Sequence, residues 1–477
     1  MSGAEQAAPS LGGIVARNTL AQAAGKLVIL AVGAASIAVT TRYLGAAGYG
    51  RFALALALLQ ALGVLADAGL VAVVVRESSR APARTAEFMG NALAMRLALG
   101  IVVVALAAAA SGLASYGPDV RTAVLIASVP FALGIVSSSL AAVFQVRLQL
   151  GRAALADATG RVASFAALLA VVAADLGFAA VVASATAGAA VTLALTTGFV
   201  GRLVRVRPAA DRAVWRELAV AALPLGLTLA VAEIYFRADT FILALSRPAA
   251  EVGQYSLAYR LYELLALFPA LVLASVYPLL SRQFAEDRDA AQRTLQASAR
   301  AFFTLGIPLA AGGLVIAPEL ARLAGGAEFA AADDPLRLLL CAAALAYVSG
   351  LCGYALIAAG HERSTLWLSL AALAVNLALN VALAPEYGAT ASAAIALGSE
   401  ALLLTGGWLL LRRRVGMQPS VAGLWAVVLA AALMAAAVWP LRDRTPAVTV
   451  PLGGVVYGAA LWALGGIDRR TLEALRG

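Results

Sequence analysis

The sequence has very few of the residues on which soluble enzymes depend. Among its 477 residues there are one histidine and two cysteines, and only 13% of the residues are charged. His361, Cys341 and Cys352 form no Cys-x-x-Cys or Cys/His pattern, so the sequence predicts no metal site and no histidine-based catalytic triad. Both cysteines lie in one apolar run, where we expect buried thiols. We therefore expect no enzymatic activity and no cofactor other than a coupling proton or sodium ion.

Apolar residues are what the sequence has in excess. They make up 62% of the chain, against about 45–50% in soluble proteins, and the mean hydropathy is +0.89. One membrane-spanning helix takes about 20 apolar residues, so this content is enough for about 14 helices. The composition excludes cytosolic enzymes, nucleic-acid binders and secreted disulfide scaffolds. It also excludes outer-membrane barrels, whose strands alternate over short segments.

The apolar runs predict an all-α integral membrane protein. We place helices at 15–40, 50–75, 87–113, 122–146, 154–174, 177–201, 215–245, 252–281, 296–318, 335–359, 364–384, 388–411, 421–440 and 447–466. The first run is too long for the apolar part of a signal peptide and is predicted to be a membrane helix. The segment 283–300 has clustered charges and predicts an amphipathic helix on the cytoplasmic surface.

The net charge of +9 comes almost wholly from arginines that lie between the apolar runs. Because they form no single patch, we interpret them as topology signals and expect no nucleic-acid partner. Every second break is rich in arginine, as in 76–84, 202–212, 282–293 and 412–414, whereas the intervening breaks hold few cations. By the positive-inside rule, both termini are predicted to be cytoplasmic, which requires an even number of spans.

Three landmarks recur at a spacing of about six helices. Residues 48–55 resemble 251–258, residues 176–180 resemble 387–391, and the basic break 76–84 corresponds to 282–293. An even number of helices keeps both copies in one orientation, so the sequence predicts two six-helix repeats related by an axis along the membrane normal. The repeats are assigned to 1–205 and 206–415, and two additional helices with a short cytoplasmic tail occupy 416–477.

We single out nine charged residues inside predicted spans, where each costs about 2.5–3.5 kcal/mol unless it has a partner or faces water or substrate. They are Lys26, Asp67, Arg96 and Arg161 in the first repeat, and Glu233, Arg237, Asp239, Arg260 and Glu263 in the second. Two interpretations stay open. The charges are either structural pairs that tie helices together, or the lining of a polar cavity between the two halves.

Lys26 is the only lysine in the chain, and helix geometry places it at about the same depth as Asp67 and Arg96. One hypothesis is that its ammonium group binds substrate. The structural alternative is an ion pair between Lys26 and Asp67. On the second-repeat helices, Glu233 and Arg237 are four residues apart, a spacing that puts both side chains on one helix face.

The motifs resemble a known family over nearly the whole chain. They are Arg42-Tyr43-Leu44-Gly45 with Gly48-Tyr49-Gly50-Arg51-Phe52, Asp67-Ala68-Gly69-Leu70, Arg237-Ala238-Asp239, Val252-Gly253-Gln254-Tyr255 with Tyr259-Arg260-Leu261, Tyr277-Pro278-Leu279-Leu280-Ser281, and Glu386-Tyr387-Gly388-Ala389-Thr390-Ala391. In this order they resemble the Wzx-like oligosaccharide and polysaccharide flippases. Those flippases share a superfamily and a fold with the MATE multidrug exporters.

The resemblance implies a flippase of the bacterial cytoplasmic membrane. It would move an undecaprenyl-diphosphate-linked oligosaccharide to the outer leaflet by alternating access, for O-antigen, capsule or exopolysaccharide synthesis. The cavity cations implied for the diphosphate and sugars are Lys26, Arg96, Arg161, Arg237 and Arg260. Asp67, Glu233, Asp239 and Glu263 are candidate charge partners or sites for a coupling proton or sodium ion. Implied partners are membrane lipids and the polymerase and glycosyltransferases of the same pathway.

Three alternatives remain at this stage. A lipid II flippase carries the same diphosphate, so charge alone does not separate it from an oligosaccharide flippase. A multidrug or cation antiporter on the same fold favours a net acidic cavity, whereas the charges inside these spans are balanced to slightly basic. An integral-membrane glycan polymerase needs a large outer loop with a catalytic acid or base, and the longest outer break, 319–336, is short and has no histidine.

Overall fold

The computed structural model of the protein describes residues 11–113, 117–147 and 149–466, and no β-strand occurs among these residues. Alanine and leucine are strong helix formers, and in lipid a helix satisfies its own backbone hydrogen bonds. The described residues form thirteen α-helices: α1 Leu11–Asp67, α2 Leu70–Arg80, α3 Thr85–Leu113, α4 Pro118–Val146, α5 Leu150–Ala173, α6 Gly177–Val200, α7 Arg212–Ser246, α8 Ala249–Glu286, α9 Arg288–Gly325, α10 Asp333–Ala358, α11 Glu362–Leu410, α12 Leu424–Val438 and α13 Pro446–Ala463.

Ten helical stretches of the described chain are long and apolar enough to cross a membrane. Two of them, Val28–Arg80 and Glu362–Val415, contain 53 and 54 residues. At 1.5 Å per residue each is about 80 Å long, more than twice the hydrocarbon thickness of about 30 Å. If each supplies two spans, and the bent α8 and the 35-residue α7 are added, the described helices account for the fourteen predicted spans.

A glycine divides each of the two longest helices. Gly45 interrupts α1 and Gly388 interrupts α11, and both have a φ of 66°. This left-handed region is accessible to glycine at little cost because glycine has no Cβ. Each glycine therefore ends one membrane helix and begins the next without an intervening loop. The segments before and after Gly388, 362–387 and 389–410, are called α11a and α11b below.

The described chain forms two compact units. The first contains the residues up to Leu44 together with Arg51–Phe241. One core cluster of this unit joins α2, α3, α4, α6 and α7 through side chains such as Phe88, Phe144 and Leu218, which are almost fully buried. These units are defined by packing and not by similarity between helices, so the predicted repeat boundaries after residues 205 and 415 stay predictions.

The second unit contains Gly45–Gly50 and the residues from Ile242 onward. Its largest core cluster includes Leu280 of α8, Phe302 of α9 and Leu351 of α10. The short segment 45–50 belongs to this unit because its backbone packs directly on the start of α8. A Cβ on Gly50 would collide with the carbonyl oxygen of Ala249. Small residues permit such close helix approach in membranes.

The predicted surface helix at 283–300 is wrong. Helix α8 continues to Glu286, and residues from Arg288 onward are the first turns of a 38-residue helix, α9. Its apolar stripe, formed by Ala291, Leu295 and Ala299, is fully buried in the core of the second unit. The amphipathic pattern therefore reflects packing against protein and not against the membrane surface.

Candidate functional site

The first unit contains a buried ion pair inside the membrane-spanning region. Nη2 of Arg96 in α3 lies 3.2 Å from Oδ1 of Asp67, at the end of α1. Nη1 of the same guanidinium donates to the hydroxyl of Ser139 in α4 at 2.6 Å. The Arg96 side chain is 7% exposed and that of Asp67 is 34% exposed. The pair thus joins three helices, and it neutralises a charge that would otherwise be very costly in this environment.

The break between α1 and α2 determines where the Asp67 carboxylate lies. Helix α1 ends at Asp67 because Ala68 and Gly69 both have positive φ, 44° and 75°, and the helix resumes as α2 at Leu70. Gly226 of α7 packs so closely on this break that a Cβ there would meet the backbone of Ala68. The Asp-Ala-Gly-Leu motif therefore encodes a break in mid-span that places a carboxylate beside α3.

Lys26 lies on an exposed face of α1 and is not the partner of Asp67. Within the described chain, no hydrogen bond or ion pair involves its ammonium group. The neighbouring Gly25 packs on α5, where its Cβ position lies 3.1 Å from Cβ of Ala154. Arg161, two turns further along α5, is also exposed and makes no ion pair within 4.0 Å among the described residues. Lys26 thus lies beside the contact between α1 and α5, and Arg161 lies about 10 Å further along α5.

Asp157, which the sequence analysis overlooked, also lies on α5, one turn after Ala154 and one turn before Arg161. Its side chain is exposed, so this part of the first unit carries a carboxylate beside the two cations. The signal was available, because Asp157 is a charged residue near the middle of an apolar run. It moderates the positive charge of the region without forming a close ion pair.

Two more predicted residues form a close pair on α7. Nε of Arg237 donates to Oε1 of Glu233 at 3.1 Å, and both side chains are mostly buried. The spacing of four residues, which puts both side chains on one helix face, thus also brings them into contact. Asp239, two residues further on, is 4% exposed. All three belong to the first unit, because the packing boundary falls after Phe241.

Arg260 and Glu263 form the corresponding pair on α8, with Nη1 of Arg260 2.6 Å from Oε2 of Glu263. The pair belongs to the second unit and lies among tyrosines of the same unit. Tyr255, Tyr259 and Tyr262 follow one another along one face of α8, with ring centroids 5.9 and 5.4 Å apart. The three rings are buried, whereas the Arg260 guanidinium is partly exposed and could donate hydrogen bonds to oxygens of a substrate.

Two glutamates accept hydrogen bonds from the backbone at the two glycine breaks described above. Oε2 of Glu328 accepts a hydrogen bond from the Ala46 N–H at 3.0 Å, and Oε1 of Glu251 accepts one from the Ala389 N–H at 2.8 Å. Each carboxylate thus caps a helix that begins without a leading loop, where unpaired N–H groups favour negative charge. The sequence analysis did not assign either role, since both contacts join residues more than 130 positions apart.

Another residue missed by the sequence analysis is Glu400 of α11b, which is 7% exposed. Its Oε2 accepts a hydrogen bond from the Ser349 hydroxyl of α10 at 2.7 Å, and no described Lys or Arg forms an ion pair with it. Among the described residues, no group of three or more His, Cys, Asp or Glu side chains is arranged to hold a metal ion. A cavity of about 450 Å³ lies between α9, α12 and α13, and none of the predicted site residues lines it.

Comparison with solved structures identifies the fold. The chain superposes on the "Lipid II flippase MurJ, inward closed conformation" with a TM-score of 0.75 and 11% identity, covering 93% of this chain and 98% of that one. An inward-facing MATE multidrug transporter of the MOP superfamily gives a TM-score of 0.61 at 17% identity, covering 82% of this chain and 94% of that one. A MOP superfamily transporter from Pyrococcus furiosus, whose description reports a binding pocket of reverse polarity, gives a TM-score of 0.57 at 16% identity, covering 85% of this chain and 96% of that one.

The chain therefore has the fold of transporters of the multidrug/oligosaccharidyl-lipid/polysaccharide exporter (MOP) superfamily, with charged side chains inside its membrane helices. A family model described as "Polysaccharide biosynthesis protein" matches residues 15–284, and one described as "MatE" matches residues 224–382. The first match covers more than half of the chain. The chain therefore belongs to the polysaccharide biosynthesis protein family. No curated protein sequence matches it significantly.

Proposed function

We propose that the protein flips a polyprenyl-diphosphate-linked oligosaccharide from the inner to the outer leaflet of the bacterial cytoplasmic membrane. Family membership supports a role in polysaccharide synthesis, and the flippase fold supports movement of a lipid-linked substrate. The oligosaccharide would serve O-antigen, capsule or exopolysaccharide assembly, between glycosyltransferases on the cytoplasmic side and a polymerase outside. Both termini are cytoplasmic in this scheme.

The observation that carries the proposal is the pair of exposed cations Lys26 and Arg161, neither of which forms an ion pair within 4.0 Å among the described residues; Asp157 interacts with Arg161 electrostatically from one turn away. Each unpaired charge near mid-bilayer costs about 2.5–3.5 kcal/mol, and neither cation has an ion-pair partner in the described structure. A diphosphate brings about two negative charges and several strong acceptor oxygens, which match two cations. Arg96, Arg237 and Arg260 are already paired with carboxylates. Their role in direct substrate binding stays a prediction.

The main barrier to flipping is the transfer of a hydrated sugar-diphosphate head through hydrocarbon, where unpaired polar groups are expensive. The cations and polar side chains replace water around the head group, while the prenyl chain stays in lipid. Access alternates between the two leaflets. A head group of two negative charges moving outward gains about 4–5 kcal/mol per 100 mV of membrane potential. That gain is lost if protein cations move with it, and an ion gradient must then drive the cycle.

The test is a set of variants at Lys26 in cells that lack the chromosomal copy. Lys26→Ala should abolish export of the surface glycan at normal protein abundance, and lipid-linked oligosaccharide should accumulate inside. Lys26→Arg should keep part of the export, because either cation binds a phosphate. Arg121→Ala, which removes an exposed cation at a helix end, is the matched control and should export normally.

Three results would contradict the proposal. Full glycan export by Lys26→Ala would exclude a binding role for this ammonium group. Unchanged surface glycan in cells lacking the protein, combined with new sensitivity to cationic drugs, would identify a multidrug exporter. Arrested cell-wall synthesis with intact surface polysaccharide would identify lipid II as the substrate.

A further inference from the structure

The middle of the second unit contains an isolated carboxyl group that the proposed cycle does not yet use. Glu400 lies eleven residues after Ala389, the start of α11b, which is about 17 Å along the helix axis. About 15 Å of helix follows it. Glu400 therefore lies near the centre of a membrane span, the position at which a charged side chain is most expensive.

Among the residues that the structure describes, no charged group forms an ion pair with Glu400. Between Arg337 and Arg412 the other charged residues are Glu362, Arg363 and Glu386, all at helix ends. On α8, which also packs against α11, Glu251 pairs with Arg247, Glu263 with Arg260 and Glu286 with Arg282. At the start of α10, Asp333 and Asp334 pair with Arg337. The other titratable groups of α10 are the partly buried Cys341, the half-exposed Tyr354, Tyr347, whose hydroxyl donates to the Leu265 carbonyl, and Cys352, which is buried against Gly407.

The polar neighbours of Glu400 are neutral hydrogen-bonding groups. Ser349 of α10 donates to its carboxyl. The preceding residue, Ser399, accepts a hydrogen bond at 3.0 Å from Nδ2 of Asn376 in α11a, and Asn380 donates in turn to Asn376. All five residues are more than nine-tenths buried. They form a polar layer across α10, α11a and α11b within an otherwise apolar bundle.

An ionised carboxylate in this layer would have one hydroxyl donor and no cation, and the desolvation penalty for such a group is several kcal/mol. A buried carboxyl without a counter-ion takes up a proton instead. We propose that Glu400 is a proton-binding site of the transport cycle, occupied when α10 and α11 are packed as in this structure. Its role in driving transport rests on the proposed flippase function.

The proton comes from water and returns to water. On binding, the carboxylate and a hydronium ion give the neutral carboxyl and one water molecule, and release reverses this step with no electron transfer. Because only 7% of the residue is exposed, exchange requires the helices around it to separate. Glutamine at this position would make the same hydrogen bonds without titrating, so Glu400→Gln removes only the proton exchange.

The first experiment is infrared spectroscopy of the full-length protein in lipid nanodiscs at neutral pH. The C=O stretch of a protonated carboxyl should be present in the wild type and absent from Glu400→Gln. Ser349→Ala should retain the band at a shifted frequency, since it loses the hydrogen bond to this group. Glu386→Gln, which changes an exposed carboxylate at the end of α11a, should leave the band unchanged. A band that survives in Glu400→Gln, or is missing from the wild type, overturns the proposal.

The second experiment measures flipping in vesicles, with lipid-linked oligosaccharide extracted from cells lacking the protein. If one proton moves per cycle, a gradient of one pH unit shifts the steady-state distribution of the substrate about tenfold. The shift should be lost in Glu400→Gln and kept in Glu386→Gln. A Glu400→Gln protein that keeps the shift overturns the role in coupling. Vesicles that flip no oligosaccharide in any condition refute the proposed function instead, and the infrared result still decides whether Glu400 holds a proton.

Discussion

Removing the carboxylate of Asp67 should destabilise the protein through Arg96. In Asp67→Asn the Arg96 guanidinium keeps its charge and its bond to Ser139 but loses its counter-ion. Breaking one side of a buried ion pair costs about 3–5 kcal/mol. Because the Asp67 side chain is 34% exposed, solvent screens part of the effect, and we expect a loss of about 2–3 kcal/mol. This corresponds to roughly a 30- to 150-fold change in the unfolding equilibrium.

The assay is thermal unfolding of the full-length protein in lipid nanodiscs. Asp67→Asn should unfold at a lower temperature than the wild type. The double variant Asp67→Asn/Arg96→Gln removes both charges and should recover about 1–2 kcal/mol relative to Asp67→Asn, as expected for directly coupled residues. Asp119→Asn is the matched control, since its ion pair with Arg51 is exposed and should change stability by no more than about 0.5 kcal/mol.

The reasoning is refuted if the double variant is no more stable than Asp67→Asn, because the cost would then not arise from an uncompensated guanidinium. It is also refuted if Asp67→Asn is as stable as Asp119→Asn. Recovery of stability by Lys26→Ala in the Asp67→Asn background would restore the alternative in which Lys26 and Asp67 are partners.

Two further predictions concern the junctions between consecutive helices. Gly388→Ala should lower stability by more than the ~1–2 kcal/mol that a non-glycine residue costs in the left-handed region, because the new Cβ would also collide with the Glu251 carboxylate. Gly398→Ala is the control: its Cβ would meet no atom, so it should be neutral or stabilising in the same melting assay. Tyr43→Phe removes two hydrogen bonds of 2.8 Å, one to Asp175 and one from the Gly177 N–H, and should cost about 1–3 kcal/mol. Tyr387→Phe, at an exposed tyrosine, should cost less than Tyr43→Phe, and equal losses would contradict the assigned role of the Tyr43 hydroxyl.

The sequence was sufficient for the fold because span length and helix breaks are local properties. Apolar runs of about 20 residues specify membrane helices without reference to the rest of the chain. The Gly45 and Gly388 breaks fall within a few residues of the predicted helix boundaries for the same reason. The surface helix at 283–300 was predicted wrongly because an amphipathic stripe looks alike whether it packs on protein or on a membrane.

Side-chain partners were less predictable, because they depend on how neighbouring helices are rotated. The pairs Glu233–Arg237 and Arg260–Glu263 follow from spacing within one helix. Equal depth correctly grouped Asp67 with Arg96, but depth alone could not decide whether Asp67 faces Arg96 or Lys26. Asp157 and Glu400 could have been found from the sequence, since each is a charge in an apolar run. The caps formed by Glu251 and Glu328 could not, because they join distant segments.

The most direct test of the account is flipping of lipid-linked oligosaccharide by the purified protein. The oligosaccharide accumulated by cells lacking the protein is built into vesicles, and a membrane-impermeant oxidant of sugars reports the share exposed on the outer leaflet. We expect wild-type protein to make nearly all of the oligosaccharide accessible, and Lys26→Ala to leave the inner-leaflet share protected. Protection in wild-type vesicles equal to that in protein-free vesicles would contradict the proposed function.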